Sequence, residues 1–346
     1  MGGNMMTETT SSTIEIAGEM IKPGEIRLIS LPLPRLYDRT ELAMPVHVFR
    51  GRRPGPVLFV SAAIHGDEIN GVEIVRRLIN LKLLKSLRGT LIAIPLVNVY
   101  GFLNRSRYLP DRRDLNRSFP GSEEGSLASR VAHRFLEQIV SQCTHGIDLH
   151  SGSNHRNNLP QIRCEWENDA ELAFARAFGA PLIVHSRLRD NSLRQAVHEM
   201  GVPILVYEAG EALRFDEPSI RFGVRGIVSV MRHLHMLPAR PRAPKGESLI
   251  SRRTFWVRAP ISGLLRRTCE LGDLVSDGDK LGYIENPLNN KRTPVIAQHR
   301  GVVMGLQNLP LVYQGDALFH LAAPDGDEDQ IVDSIEAFQS LVEDFY

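Results

Sequence analysis

The chain has 346 residues, 42% hydrophobic and 23% charged, with 41 Lys and Arg against 40 Asp and Glu. That length allows two domains of ordinary size, and a net charge of +1 gives no electrostatic reason to expect nucleic acid or a membrane surface as a partner. No apolar run is long enough to span a bilayer and residues 1–12 lack the basic-then-apolar order of a secretory signal, so a cytoplasmic protein is expected.

The start also fails as a myristoylation signal, because Met6 stands where Ser or Thr is needed. Cys143, Cys164 and Cys269 are too scattered for a zinc or disulfide framework, which fits a reducing compartment. Without an export signal, the Asn-Arg-Ser triplets at Asn104 and Asn116 read as chance matches to a glycosylation pattern.

In chain order, residues 1–12 are small and polar and are expected to be disordered. Residues 13–50 alternate short apolar runs with Pro and Gly, the pattern of short strands at a sheet edge. VLFV at 57–60 is an unbroken apolar run, suited to a strand buried on both faces, and it stops at His65, Gly66, Asp67 and Glu68. Val72, Ile74, Val75, Leu78, Ile79 and Leu83 then recur at helical intervals over 70–85. A strand at 91–97 leads into a polar loop, 98–121, dense in Arg and Asn; loops of that length in compact domains are functional or disordered.

A helix at 123–142 and a strand at 147–150 follow, then a turn at 151–158. Strands at 159–163, 181–184 and 203–208 alternate with helices at 169–178, 193–200 and 218–236. This alternation predicts an α/β fold with a mixed, mostly parallel sheet flanked by helices over residues 13–237. LPARPRAPK opens a Pro-rich linker at 238–246. Residues 247–324 carry short strands and Gly turns, a small all-β barrel or sandwich module, and 325–346 form an acidic tail that could be helical.

The polar groups of the α/β part collect where strands are expected to end, the usual place for a ligand in an open α/β sheet. His65 and Glu68, three apart, could face one ligand, but taken alone they are better explained as a hydrogen-bonded histidine beside a first-turn acid. His150 ends another strand. Two imidazoles and one carboxylate with an open fourth position form a catalytic zinc set, whereas a structural site would be closed by four protein ligands.

Glu208, after PILVY and before Ala209 and Gly210, suits the acid–base role; a first-turn helix acid is the equal alternative. In the long loop Arg107, Asn116 and Arg117 offer donors, and arginine can grip a carboxylate with two parallel bonds. Asp114 or Asp148 could accept the outer ring N–H of a liganding histidine; Asp148 lies two before His150, on the same strand face.

Four ordered blocks, HGDE at 65–68, SRYLPDRRDLNRSFPG at 106–121, DLHSG at 148–152 and VYEAGE at 206–211, resemble the succinylglutamate desuccinylase/aspartoacylase family, within the wider zinc carboxypeptidase-like fold. The resemblance implies one Zn2+ per chain held by His65, Glu68 and His150, with Glu208 as general base and acid. It further implies that Arg107 polarises the scissile carbonyl, that Asn116 and Arg117 clamp a substrate carboxylate, and that Asp114 orients the first histidine. Two more residues separate Arg107 from Asn116 than in aspartoacylase, implying a differently shaped pocket. Arg187 and Arg189 could add a carboxylate contact, although no motif fixes them and solvent exposure is the simpler reading.

The β module resembles biotinyl and lipoyl carrier domains in APISGLL, GDLVSDGDKLGYIEN and HRGVV. A carrier presents a lysine on a tight hairpin soon after Ile284-Glu285, but Lys291 sits in a longer polar loop, so the module reads as a wall of the catalytic cleft. The expected activity is zinc-dependent hydrolysis of the amide of an N-acyl amino acid or similar small carboxylate, with no nucleic-acid or membrane partner and a homo-oligomer left open. A metallocarboxypeptidase uses the same constellation with a wider cleft, and a non-catalytic or carrier-type binding protein is the rival from another class. A serine hydrolase is disfavoured because no G-x-S-x-G elbow occurs.

Overall fold

The computed structural model describes residues 13–153, 155–167, 169–239, 247–289, 291–325 and 332. The expected disordered start, most of the 238–246 linker and nearly all of the 325–346 tail lie outside the described residues.

The chain opens with β1 (Ile14–Ile16) and β2 (Glu19–Ile21), then β3 (Ile26–Pro32), β4 (Ala43–Arg50), β5 (Arg53–Ala62), α1 (Ile69–Ile79), β6 (Arg88–Ile94) and α2 (Val99–Leu103). Next come α3 (Leu127–Gln138), β7 (His145–Gly152), β8 (Arg156–Cys164), α4 (Asp169–Phe178), β9 (Leu182–His185), α5 (Leu193–Glu199), β10 (Ile204–Glu211) and α6 (Glu217–His233). Beyond residue 246 lie β11 (Leu249–Arg258), β12 (Gly263–Arg267), β13 (Leu274–Val275) and β14 (Lys280–Glu285). The last strands are β15 (Arg292–Ile296), β16 (Gly301–Gln307), β17 (Leu311–Val312) and β18 (Ala317–Asp325).

The period of the apolar run in β5 explains the layers. Successive strand side chains point to opposite faces. Leu58 and Val60 therefore enter one core, with Ile74 and Val75 of α1, Phe174 of α4 and Ile227 of α6. Val57 and Phe59 enter the other, with Val131 and Phe135 of α3 and Val197 of α5. Phe59 and Phe135 meet edge to face, their ring centroids 6.0 Å apart, and full burial of a side chain of this class contributes about 1.5–3 kcal/mol. Helices thus cover both faces of the sheet.

The sheet is mixed, as expected, but it is not mostly parallel: seven of its strand pairings are antiparallel and five parallel. Its twelve strands run β13-β16-β18-β11-β9-β8-β10-β7-β5-β6-β4-β3. Strands β6, β5, β7 and β10 are mutually parallel, but β10 and β8 are antiparallel. The reason lies in the link from β7 to β8: the break between Gly152 and Arg156 is too short for a crossover helix, so the chain reverses direction. That also trims the expected 151–158 turn, because both strands extend into it. The 98–121 loop is likewise more structured than expected, holding α2 and a 3-10 turn at Leu115–Arg117.

The C-terminal strands hydrogen-bond to this same sheet. β11 runs parallel to β9, and β16 pairs antiparallel with both β18 and β8. Strands β8, β9, β11, β18 and β16 consequently close into a ring, while β15-β14-β12-β17 form a separate four-stranded sheet. Among the described residues no helix is long and apolar enough to cross a membrane.

Candidate active site

The site is built at the carboxyl ends of β5, β7 and β10. In parallel register, Ser61 lies opposite Asp148, and Glu208 opposite His150. After β5, Gly66 passes so close to the backbone after β6 that a Cβ there would meet the Gly101 carbonyl carbon at 2.0 Å. Only glycine fits between His65 and Glu68 at that crossing, which brings both side chains inward.

Glu68 occupies the N-cap position of α1, yet its side chain makes no cap bond. Its carboxylate is buried and turned to the histidines: Oε1 is 2.7 Å from His65 Nδ1, Oε2 is 2.9 Å from His150 Nδ1, and the Ser151 N–H donates to Oε2 at 3.0 Å. This removes the solvated first-turn reading of Glu68. Ligand atoms of His65, Glu68 and His150 all lie within 4.8 Å of one another.

The outer ring nitrogens face carboxylates. His150 Nε2 is 2.7 Å from Asp148 Oδ2, and Asp148 Oδ1 accepts the Ser61 hydroxyl at 2.8 Å. His65 Nε2 lies 3.2 Å from Asp114 Oδ1 but off the line of a hydrogen bond, leaving that buried nitrogen without a well-directed partner. Asp114 is held in place by Arg107, whose Nη2 donates to Oδ2 at 2.8 Å, and by the Asn116 N–H, which donates to Oδ1 at 2.9 Å. Both aspartates singled out in the sequence therefore back a histidine, one each.

The residues present fit a divalent cation. Two imidazoles offer Nδ1 toward one buried carboxylate, and their far sides meet carboxylates that raise their basicity. The electrostatics agree. Burial works against charge on His65 and His150, but Glu68 with Asp114, and Asp148 with Glu68, outweigh it and hold both rings above the ordinary histidine range. Burial likewise opposes ionisation of Glu68 and Asp114, but the neighbouring cations hold both well below the usual carboxylate range. The cluster is thus organised around a positive charge at its centre.

Arg107 and Glu208 complete the ring of groups. Arg107 Nη1 stands 3.6 Å from Glu68 Oε1. Glu208, with 16% of its side chain exposed, accepts from Asn158 Nδ2 at 2.9 Å through Oε2, and Arg163 Nη1 lies 3.8 Å from Oε1. Asn116 spends its carbonyl oxygen on the Leu193 N–H at the start of α5, which leaves its amide N–H groups to face the cavity. Arg117 is exposed at the rim and donates to the backbone carbonyl of Asn116.

His65, Glu68, Arg107, Asn116, Arg117, Asp148, His150 and Glu208 line one cavity of about 220 Å³, and Asp114 stands behind it. Sequence reasoning missed Asn158, Arg156, Arg163, Arg194 and Trp256, which line it too. Arg163 carried a signal, a charged residue between the apolar Ile162 and Cys164, whereas Trp256 and Asn158 arrive through long-range pairing that no local pattern announces. Arg189 is exposed, as the simpler reading had it, but it stands in this lining. Desolvation of the part that faces the cavity, with the charges of Arg117 and Arg163, holds its pKa below the ordinary arginine value. A larger hollow of about 800 Å³, lined by Arg52, Arg53, Arg88 and His235, sits at the opposite ends of the parallel strands and brings no acid–base pair together.

Residues 54–234 match the succinylglutamate desuccinylase/aspartoacylase catalytic domain. The chain is 26% identical over 336 residues to the N-alpha-acetyl-L-2,4-diaminobutyric acid deacetylase of Halomonas elongata, covering 92% of this chain and 96% of the relative. The product-bound ectoine utilization protein EutE (DoeB) of Ruegeria pomeroyi superposes with a TM-score of 0.80 at 25% identity, over 90% of this chain and 99% of that one. A succinylglutamate desuccinylase/aspartoacylase from Rhodobacter sphaeroides gives 0.78 at 25% identity, over 88% and 97%.

Proposed function

Because the chain belongs to the succinylglutamate desuccinylase/aspartoacylase family, we propose that it is a zinc-dependent amidohydrolase releasing the acyl group of an N-acyl amino acid or similar small carboxylate. A deacylase-type hydrolase is the common ground with the Halomonas relative. The observation that carries the finer reading is the convergence of His65, Glu68 and His150 with Arg107 and Glu208 on one small cavity.

His65, Glu68 and His150 would hold the ion, which when bound supplies Lewis acidity toward water and a carbonyl oxygen. Glu208 takes a proton from the attacking water and returns it to the leaving nitrogen as the amide C–N bond breaks. Arg107, fixed by Asp114, faces the position where negative charge develops on the carbonyl oxygen. Asn116 and Arg117 hold the substrate carboxylate at the rim.

Cavity size and charge narrow the substrate. A space of about 220 Å³ suits a single acylated amino acid rather than an extended peptide. Six arginines line it, Arg107, Arg117, Arg156, Arg163, Arg189 and Arg194, against Glu68, Asp148 and Glu208. This excess favours a substrate with more than one negative charge over one with a side-chain ammonium, such as the diaminobutyric acid derivative in the Halomonas relative's name.

The test uses zinc-loaded protein and a panel of N-acetyl-L-aspartate, N-succinyl-L-glutamate, N-acetyl-L-2,4-diaminobutyrate and dipeptides. Glu208→Gln is expected to keep its metal and lose about 10²–10⁴-fold in kcat on the best substrate. Near-wild-type turnover in that variant would remove Glu208 from the chemistry, and a preference for dipeptides would move the reading to a carboxypeptidase.

A further inference from the structure

Glu208 does not reach its position through β10 alone. Strand β8 runs antiparallel beside it, with Gln161 opposite Glu208 and Asn158 opposite Gly210. A register irregularity between Glu208 and Gly210, where Gly210 has φ +70°, bends the strand just past the acid. The Asn158 carboxamide spans that bend and donates to Glu208 Oε2 at 2.9 Å. This contact restrains the Glu208 side chain at Oε2 and leaves Oε1, with Arg163 Nη1 at 3.8 Å, as the less encumbered oxygen.

On its other edge β8 meets the C-terminal module. Gly305 of β16 lies directly opposite Asn158, with Leu306 opposite Asn157 and Gln307 opposite Arg156. Asn158 therefore sits between two glycines on two different strands. A Cβ at Gly305 would come within 3.2 Å of both Asn158 Oδ1 and the His320 Cβ. That is closer than ordinary contact, so a side chain at Gly305 would press on the carboxamide that reaches Glu208. The same module carries Trp256 of β11, which lines the cavity and stacks on His320 of β18 with ring centroids 4.0 Å apart and planes 9° from parallel.

We infer that Asn158, seated against Gly305 of β16, is a positioning residue for Glu208, so that the C-terminal module sets the orientation of the acid–base group as well as walling the cavity. The inference rests on the acid–base role proposed for Glu208. It gives the closed ring of strands a functional consequence: the catalytic carboxylate and the module are connected through one side chain and two backbone registers.

The test is steady-state kinetics at pH 8 on zinc-loaded protein with the best substrate of the panel above, together with metal content and melting temperature. Asn158→Ala is expected to lower kcat by about 10–100-fold while KM stays within about threefold, because a misplaced acid–base group costs rate rather than affinity. Asn158→Asp keeps the shape but presents a second carboxylate to Glu208, and is expected to be at least as slow as Asn158→Ala. A packing role alone would tolerate this isostere. Gly305→Val is expected to lower kcat by about 5–20-fold in the natural background and to add nothing in the Asn158→Ala background. Wild-type kcat in Asn158→Ala, full activity in Asn158→Asp, or an equal loss from Gly305→Val in both backgrounds would overturn the inference. Glu208→Gln, run alongside, separates the two layers: if it too is active, the role of Glu208 fails first; if it is inactive while Asn158→Ala is not, only the positioning claim falls.

Discussion

His65, Glu68 and His150 share their spacing with a second trio, Glu123, His133 and Glu137: in each, the possible ligand atoms lie within 4.8 Å of one another. The first trio is fully buried, whereas Glu123 and Glu137 are exposed and His133 is half-buried. His133 and Glu137 sit one turn apart on α3, where any amphipathic helix brings a histidine and an acid together on its wet face. In the buried trio each imidazole is backed by its own aspartate, and Glu68 gives up a helix cap to face both rings. Proximity is common to the two trios. What differs is that the buried side chains are held before any ion arrives, while the exposed ones must be immobilised and dehydrated on binding.

The largest expected effect tests that contrast directly. His150→Ala removes a ligand from the proposed centre and should release zinc and lower kcat by about a thousandfold or more, since a Lewis acid contributes several kcal/mol to the transition state. Glu137→Ala should leave both zinc content and turnover as they are. Elemental analysis of the two purified variants beside the wild type decides it: zinc lost from Glu137→Ala and kept in His150→Ala would reverse the assignment of the two trios.

A smaller effect is expected behind the ligands. Asp148 is fixed by the Ser61 hydroxyl and faces His150 Nε2. Asp148→Asn keeps the shape and removes the charge, and a change of this kind typically costs about 10–100-fold in metal affinity or activity. Titration of zinc-loaded protein with a competing chelator measures it. If Asp148→Asn holds zinc as tightly as the wild type, preorganisation by the backing carboxylate is not what separates the buried trio from the exposed one.

The contrast also marks what the sequence could carry. VLFV, IDLH and PILVY announce buried strands, and the polar residues that follow them are drawn together because parallel strands end at one side of the sheet. His65, Glu68, His150 and Glu208 were legible for that reason. So was Asp148, through the two-residue period of its strand. Asn158 and Trp256 were not, because each enters the cavity through a pairing between segments far apart in the chain: Asn158 between Gly210 and Gly305, Trp256 opposite His320. Local patterns do not specify which strand will lie beside which. The antiparallel β8 shows the same limit, since a three-residue turn and a longer crossover imply opposite directions and the boundaries of 151–158 decided between them.

The smallest predicted effect sets two histidines of one strand against each other. His145 and His150 stand five residues apart on β7. At His150 the carboxylates of Asp148 and Glu68 outweigh burial. At His145 burial acts first, with the positive charge of His233 adding to it, and the pKa falls to about 4; the ring packs against Phe174 at 5.2 Å. The folded-state value lies below the unfolded value of 6.5, so between those two pH values the unfolded chain binds more protons than the folded one. His145 therefore favours folding fully above pH 6.5, and this contribution is lost as pH falls toward 4. Urea denaturation of zinc-loaded protein at pH 7, 6 and 5 should show the wild type losing about 1–2 kcal/mol more than His145→Phe across that range, because the variant has nothing to protonate there. Equal slopes in the two proteins would mean that His145 charges without disturbing its surroundings. In that case burial would not oppose a charge at His145, and the carboxylates at His150 would have less to outweigh than the shift at His145 implies.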